Sequence, residues 1–178
     1  MHRKIFHIDV NSAYLSWEAA WRLQHGETLD LRDIPSIVGG DVKKRRGIVL
    51  AKSIPAKAYG IQTGETVYSA VQKCPSLISV APQYERYVVA SDSMVALIRE
   101  YSPYVQRYSV DEVFLDYQGK RDPLDVAEEI RERIKTTLGF TVNIGVGENK
   151  LLAKVASDFT KPDRVHTLYR EEIKRKMW

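Results

Sequence analysis

Cysteine, histidine and long apolar runs are scarce in this chain, and each shortage excludes a class of site or structure. The single cysteine, Cys74, cannot form an internal disulfide and has no neighbouring Cys or His with which to bind a metal. The four histidines are scattered, so we expect no histidine-based site and only surface or structural roles for them. No apolar stretch is long enough to span a membrane, and the N-terminal one is broken by His7 and Asp9. We therefore expect a cytoplasmic protein without a membrane partner.

The charge of the chain is modest in sum but uneven along its length. The 178 residues carry a net charge of +4, with 44% apolar and 28% charged residues, a composition that can bury one good core or two small ones. Positive residues cluster in one run and again near the end, which suits a polyanionic partner. The candidate contacts are Lys43, Lys44, Arg45, Arg46, Lys150 and Lys154. A solvated loop and a terminal helix would explain the same residues without any partner.

Three carboxylates stand at the ends of strand-like segments. Asp9 follows the apolar residues Ile5, Phe6 and Ile8, and the adjacent Asp111 and Glu112 lie between two such segments. Acids held about 4 Å apart repel by roughly 1 kcal/mol per pair in water, so without metal at least one should titrate above its ordinary pKa. Mg²⁺ takes such oxygen ligands together with substrate phosphates, which predicts a two-metal phosphoryl-transfer site. The alternative is that Asp9 caps the next helix and the other two acids fill a polar turn.

The periodicity of the apolar residues predicts an α+β fold. Strands are expected at 4–9, 104–110, 113–117 and 140–146, and helices at 13–24, 84–101, 122–138 and 149–159. This order is that of a ferredoxin-like split βαβ arrangement, in which the first strand lies beside the hairpin, so that Asp9 would approach Asp111 and Glu112. Short strand candidates at 36–38, 48–51 and 77–80, with a helix at 65–73, predict a small inserted α/β subdomain.

Four motifs follow one another along nearly the full length of the chain. They are IDVNSAY at 8–14, AKAYGI at 56–61, YSVDE at 108–112 and GVGENK at 145–150, the last leading to Ala153-Lys154 and Lys161-Pro162. In this order and spacing they resemble the Y-family, lesion-bypass DNA polymerases of the polymerase IV and UmuC type. The resemblance implies a palm at 1–11 and 80–168, inserted fingers at 12–79, and at 169–178 the start of a connection to a thumb.

The resemblance also implies the ligands and the chemistry of the site. Asp9, Asp111 and Glu112 would bind two Mg²⁺ ions, with Mn²⁺ as a possible substitute and the carbonyl of Val10 assisting. The reaction would be nucleotidyl transfer from a dNTP to a primer 3′-hydroxyl on primer–template DNA.

The nucleotide contacts implied by the resemblance come from five residues. The backbone amides of Ser12 and Ala13 would hold phosphate oxygens at a helix start, Tyr14 would exclude a 2′-hydroxyl, and Lys57 and Lys161 would meet the triphosphate. A core tyrosine and an exposed lysine at a helix end are the plain alternatives for Tyr14 and Lys161. The fingers depart from the family pattern, since Ala51, Ile54 and Lys57 stand where many relatives have threonine, tyrosine and arginine.

The family continues beyond Trp178 into a thumb and a DNA-gripping domain, so we expect weak binding of primer–template and feeble activity from this portion alone. Any contact with a replication sliding clamp would come from regions not present in this sequence. Two other functions stay open at this point. One is a nucleotidyl cyclase on a related palm, suggested by Gly39-Gly40-Asp41, and the other is a non-enzymatic module that binds DNA or a partner.

Overall fold

The computed structural model describes residues 3–40 and 47–177 and contains both helices and strands. The strands are β1 (Ile5–Val10), β2 (Ser36–Gly39), β3 (Val49–Lys52), β4 (Ile78–Val80), β5 (Val105–Arg107), β6 (Glu112–Asp116), β7 (Val142–Gly147) and β8 (Val165–Leu168). The helices are α1 (Ala13–Gln24), α2 (Ile54–Ala58), α3 (Val67–Lys73), α4 (Tyr84–Arg99), α5 (Pro123–Leu138), α6 (Lys150–Ser157) and α7 (Ile173–Met177). A 3-10 turn at Arg170–Glu172 precedes α7.

The chain divides into two compact units. Ser12–Val88 forms one unit, and the segments on either side of it form the other. The inserted unit has a three-stranded sheet in the order β3-β2-β4, with β2 antiparallel to β3 and parallel to β4. Two groups of buried apolar side chains, centred on Ile37 and on Leu15, make up its core.

The outer unit contains a five-stranded sheet in the order β5-β6-β1-β7-β8. Strand β1 is antiparallel to β6 on one side and to β7 on the other, and β5 and β6 form the hairpin. Strands β5, β6, β1 and β7 therefore have the ferredoxin-like arrangement that the sequence predicts, and β8 adds a parallel edge strand beside β7. The predicted mixed fold, with a split βαβ part and a small inserted subdomain, is confirmed.

Local sequence signals explain where the helices of the outer unit begin and end. The side chain of Asp122 accepts hydrogen bonds from the amides of Leu124 and Asp125, Pro123 occupies the first turn of α5, and Gly139 ends the helix with φ of 81°. Asn149 caps α6 in the same way through the amide of Leu152, at 2.9 Å. The Asn149 cap fixes the start of α6, which carries Lys154 and Ser157.

Two short elements were not predicted. Helix α2 has five residues and begins at Ile54, where Ser53 accepts a hydrogen bond from the amide of Ala56, and β8 follows Lys161-Pro162 with only four residues. These two segments show too little periodicity to mark them, and pairing and capping in the folded chain define them. Among the described residues, no helix is both long enough and apolar enough to cross a membrane.

Candidate active site

The pairing of β1 with β6 brings the three acids to one end of the sheet. Asp9 lies opposite Glu112 in the antiparallel register, and the amide of Val10 donates a hydrogen bond of 3.1 Å to the carbonyl oxygen of Asp111. Because residues alternate between the faces of a strand, the side chains of Asp9 and Glu112, as a directly opposed pair, project from the same face. Two segments about a hundred residues apart thus meet at one site.

Two lysines neutralise this acidic group in the structure. Lys161 donates a hydrogen bond to Asp9 and pairs with Asp158 at 2.9 Å, while Lys154 donates to Oε1 of Glu112. The hydroxyl of Ser109 lies 2.7 Å from Asp111 Oδ1 and 3.3 Å from Glu112 Oε2, so it bridges the two adjacent carboxylates.

The protonation of the acids follows from burial and from these lysines. Burial raises the pKa of Asp9, and the charges of Asp111 and Glu112 raise it further, against the opposing effect of Lys161. Burial would also raise the pKa of Glu112, but the hydrogen bond and charge of Lys154 outweigh it, so that pKa is lowered. The prediction that one acid titrates high is confirmed for Asp9, although burial is a larger cause than the neighbouring carboxylates.

The carboxylates do not form a closed cage as they stand. Within residues 3–40 and 47–177, no group of three His, Cys, Asp or Glu side chains is arranged to hold a metal ion. Their present partners are the two lysine ammonium groups and the Ser109 hydroxyl. The carboxylate oxygens are thus in contact with two positive charges and one hydroxyl donor. Carboxylate oxygens are hard ligands of the type that Mg²⁺ and Mn²⁺ prefer.

A network of amides supports the segment that carries Lys161. Asn11 Nδ2 donates to Asn143 Oδ1 at 3.1 Å, and Asn143 Nδ2 donates to the carbonyl oxygens of Ser157 and Thr160 at 3.1 and 2.9 Å. Asn143 is fully buried and lies opposite Asp9 in the β1–β7 register. The end of α6 and the loop that follows it are therefore tied to the same strands that carry the acids.

His7 is a site neighbour that the sequence analysis missed. It is buried, its Nε2 lies 3.4 Å from Glu112 Oε1, and its Nδ1 lies 2.7 Å from the hydroxyl of Ser157. Burial, followed by the charge of Lys154, lowers the pKa of His7 to about 4, so the ring is neutral at neutral pH. The signal in the sequence was the spacing, because a residue two positions before Asp9 in a strand projects from the same face.

The other predicted nucleotide contacts at the first motif lie in the inserted unit. Ser12 precedes α1 with φ of 46°, a left-handed conformation that costs a residue with a side chain roughly 1–3 kcal/mol. Ala13 is buried in the first turn of the helix. The ring of Tyr14 is half-buried and stacks on Tyr87, with centroids 4.9 Å apart, and meets the edge of Tyr84 at 5.9 Å. Tyr14 therefore belongs to an aromatic cluster.

The remaining predicted contacts are spread over the chain. Lys57 is exposed in the last turn of α2, with Ala51 buried in β3 and Ile54 exposed. Lys150 donates to Gln106 on the surface of the outer unit and lies 5.6 Å from the centroid of the Phe114 ring. Lys154, proposed for DNA, is engaged by Glu112 instead. The run Lys43, Lys44, Arg45 and Arg46 lies outside the described residues.

Comparison with known proteins gives a consistent family. Residues 8–158 match the model of the impB/mucB/samB family. The chain is 50% identical to DNA polymerase IV of Clostridium acetobutylicum over 181 residues, which covers all of this chain and 46% of that protein. It is 41% identical to DNA polymerase IV of Acetivibrio thermocellus over 182 residues, covering all of this chain and 44% of that protein.

Solved structures show the same fold. The structure of DinB from Sulfolobus solfataricus superimposes with a TM-score of 0.83 at 24% sequence identity, covering 97% of this chain and 50% of that one. The chain thus spans about half the length of the curated relatives that it matches.

Proposed function

We propose, since the chain belongs to the impB/mucB/samB family, that it is the catalytic palm and fingers portion of an error-tolerant, lesion-bypass DNA-directed DNA polymerase. The outer unit would be the palm and the inserted unit the fingers. The observation that carries the proposal is the meeting of Asp9 with Asp111 and Glu112 at adjacent strand ends, balanced by Lys161 and Lys154. A structural turn would not need three acids and two lysines at one place.

The residues present fit a pair of divalent cations. The donors are hard carboxylate oxygens, to which the family resemblance adds the Val10 carbonyl, and Asp9 is buried enough that its charge calls for a close counterion. When bound, such ions lower the pKa of a primer 3′-hydroxyl and neutralise the charge on a triphosphate and its leaving pyrophosphate. We propose two ions, with Mg²⁺ as the natural metal and Mn²⁺ as a substitute.

The protein's own side chains have separable tasks in this proposal. Asp9, Asp111 and Glu112 hold the cations, and Lys161, a single-point cation, turns from Asp9 to the triphosphate of the incoming dNTP. By family resemblance, Ser12, Ala13 and Lys57 also contact the phosphates and Tyr14 faces the sugar. Lys150, with the lysine and arginine run at 43–46, is proposed for the DNA backbone, where each phosphate contact would add a salt-dependent gain. Lys154 is free for DNA only after a cation has replaced it at Glu112.

The metal site can be tested without catalysis. Binding of Mn²⁺, followed by the loss of its free electron paramagnetic resonance signal, should be competed by Mg²⁺ and should weaken strongly in Asp111→Asn. Asp116→Asn is a matched control, since Asp116 lies at the other end of β6 and pairs with Arg3. Equal Mn²⁺ binding by Asp111→Asn and the parent chain would refute the site.

The reaction can be tested by primer extension at high protein concentration with Mn²⁺. Template-directed addition of dNTPs that Asp9→Asn and Asp111→Asn both abolish would support the polymerase. Product formed from a single nucleoside triphosphate without DNA would instead support a cyclase. DNA binding that ignores both metal and Asp111→Asn would support a passive binding module.

A further inference from the structure

We propose that His7 is a positioning residue, which holds the carboxylate of Glu112 through Nε2–H so that its other oxygen meets a divalent cation. This inference deepens the proposed function and rests on the metal site described above. It concerns only residues of the outer unit, and its central observation is a buried ring nitrogen that has no hydrogen-bond partner and lies 3.4 Å from a ligand carboxylate oxygen.

The sheet places His7 where this task requires it. His7 and Asp9 project from the same face of β1, and Glu112 lies opposite Asp9, so His7 is the diagonal neighbour of Glu112 on that face. The ring is 1% exposed and packs against Phe114 with centroids 4.6 Å apart. Because ring and carboxylate are set by the strand register, their separation does not depend on a mobile loop.

The Nε2 atom of His7 is unsatisfied in this arrangement. It is buried and has no hydrogen-bond partner among the described residues, while Glu112 Oε1 lies 3.4 Å away and is held by Lys154. A buried polar nitrogen without a partner is rare in folded proteins. A small rotation of the Glu112 side chain, once Lys154 is displaced, would complete an Nε2–H to Oε1 hydrogen bond.

The proton count around Ser157 decides which tautomer of His7 can do this. The single hydroxyl proton of Ser157 has two candidate acceptors at 2.7 Å, His7 Nδ1 and the carbonyl oxygen of Lys154. If the hydroxyl donates to the carbonyl, Nδ1 must carry the ring proton and Nε2 would turn a lone pair towards the Glu112 carboxylate. If the hydroxyl donates to Nδ1, the proton sits on Nε2 and points at Glu112. The second arrangement satisfies the buried nitrogen and is the one that we infer.

The same contacts argue against a nucleophilic Ser157–His7 pair. Both residues are buried, Ser157 at 0% exposure at the end of α6 and His7 at 1% exposure in β1. No substrate can approach the hydroxyl without opening the unit. The Ser157 hydroxyl therefore fixes the orientation of the His7 ring, and His7 in turn holds the carboxylate of Glu112.

Two amide substitutions separate positioning from packing. In His7→Gln the side-chain NH₂ can reach the place of Nε2, whereas in His7→Asn it reaches only the place of Nδ1 and keeps the Ser157 contact. We expect Mn²⁺ affinity to fall by about 10-fold or more in His7→Asn, the usual effect of losing a hydrogen bond to a metal-binding side chain. We expect His7→Gln to stay within about threefold of the parent. Equal affinities in all three proteins would overturn the inference.

The ring tautomer gives a second test that needs no variant. Long-range proton–nitrogen NMR correlation of the parent chain, loaded with diamagnetic Mg²⁺, should show His7 as the Nε2–H tautomer. An Nδ1–H tautomer would overturn the inference even if both variants failed to fold. Failure of the parent to bind any Mn²⁺ would overturn the proposed metal site itself, whereas binding that is indifferent to His7→Asn would overturn only the role of His7.

Discussion

Replacing Gly145 by alanine should separate α6 from the sheet and loosen the site that α6 helps to build. An ideal Cβ on Gly145 would lie 1.9 Å from the carbonyl oxygen of Ala153 and 2.4 Å from the amide nitrogen of Ser157, whereas ordinary contact begins at 3.4 Å. Both obstacles are backbone atoms and cannot rotate away. The helix would have to withdraw from β7 by on the order of 1 Å, in an interior packed as densely as an organic crystal.

The magnitude follows from what overpacked cores lose. Forcing a methyl group into such a contact costs typically 1–3 kcal/mol, and we expect about 3 kcal/mol here because the clash is with backbone. For a chain of this size, that loss corresponds to a fall in melting temperature of roughly 6–12 °C. Urea denaturation followed by far-UV circular dichroism measures the free energy of unfolding directly.

A second substitution sharpens the test of Gly145→Ala. The third neighbour of the added methyl is the Cβ of Ala156, at 2.9 Å. Adding Ala156→Gly should not restore stability, since the two backbone clashes stay in place. Gly145→Ala within about 0.5 kcal/mol of the parent, or full rescue by Ala156→Gly, would refute the reasoning.

Three further predictions concern the charged groups. Asp9→Asn should be more stable than the parent at neutral pH and lose this advantage below pH 3.8, because the raised folded pKa of Asp9 makes the parent lose stability as pH rises from 3.8 through that pKa; a difference between the urea midpoints of variant and parent that stays constant across this range would contradict it. Glu112→Gln should show the opposite sign, a loss of stability at neutral pH that disappears as pH falls through the lowered folded pKa of Glu112. This loss should be at most about 1 kcal/mol, because the partner Lys154 is 38% exposed. Glu18→Gln should destabilise the inserted unit by roughly 2 kcal/mol, the size of a lost hydrogen bond to a charged group, because the buried Glu18 faces two partly exposed arginines and the hydroxyl of Tyr87 at 3.4 Å; an unchanged tryptophan-fluorescence transition in urea would argue against it.

The sequence motifs were enough to predict the family and the outline of the fold. The resemblance drawn from IDVNSAY, AKAYGI, YSVDE and GVGENK is confirmed by the family match over residues 8–158. The cap of α5 at Asp122 and its stop at Gly139 were also readable, because capping depends on side chains within a few positions of each other. The roles of individual residues in metal and nucleotide binding stay predictions.

Sequence order by itself determined where each acid stands along the chain, since strand ends and turn residues are local properties. Only the tertiary structure decided what each acid touches. Asp9 pairs with Lys161, Glu112 pairs with Lys154, and His7 lies beside Glu112. The partners in these contacts are between 42 and 152 positions apart in the chain. No periodicity encodes such contacts, because they arise from the register between strands and from how closely α6 packs on a glycine in β7.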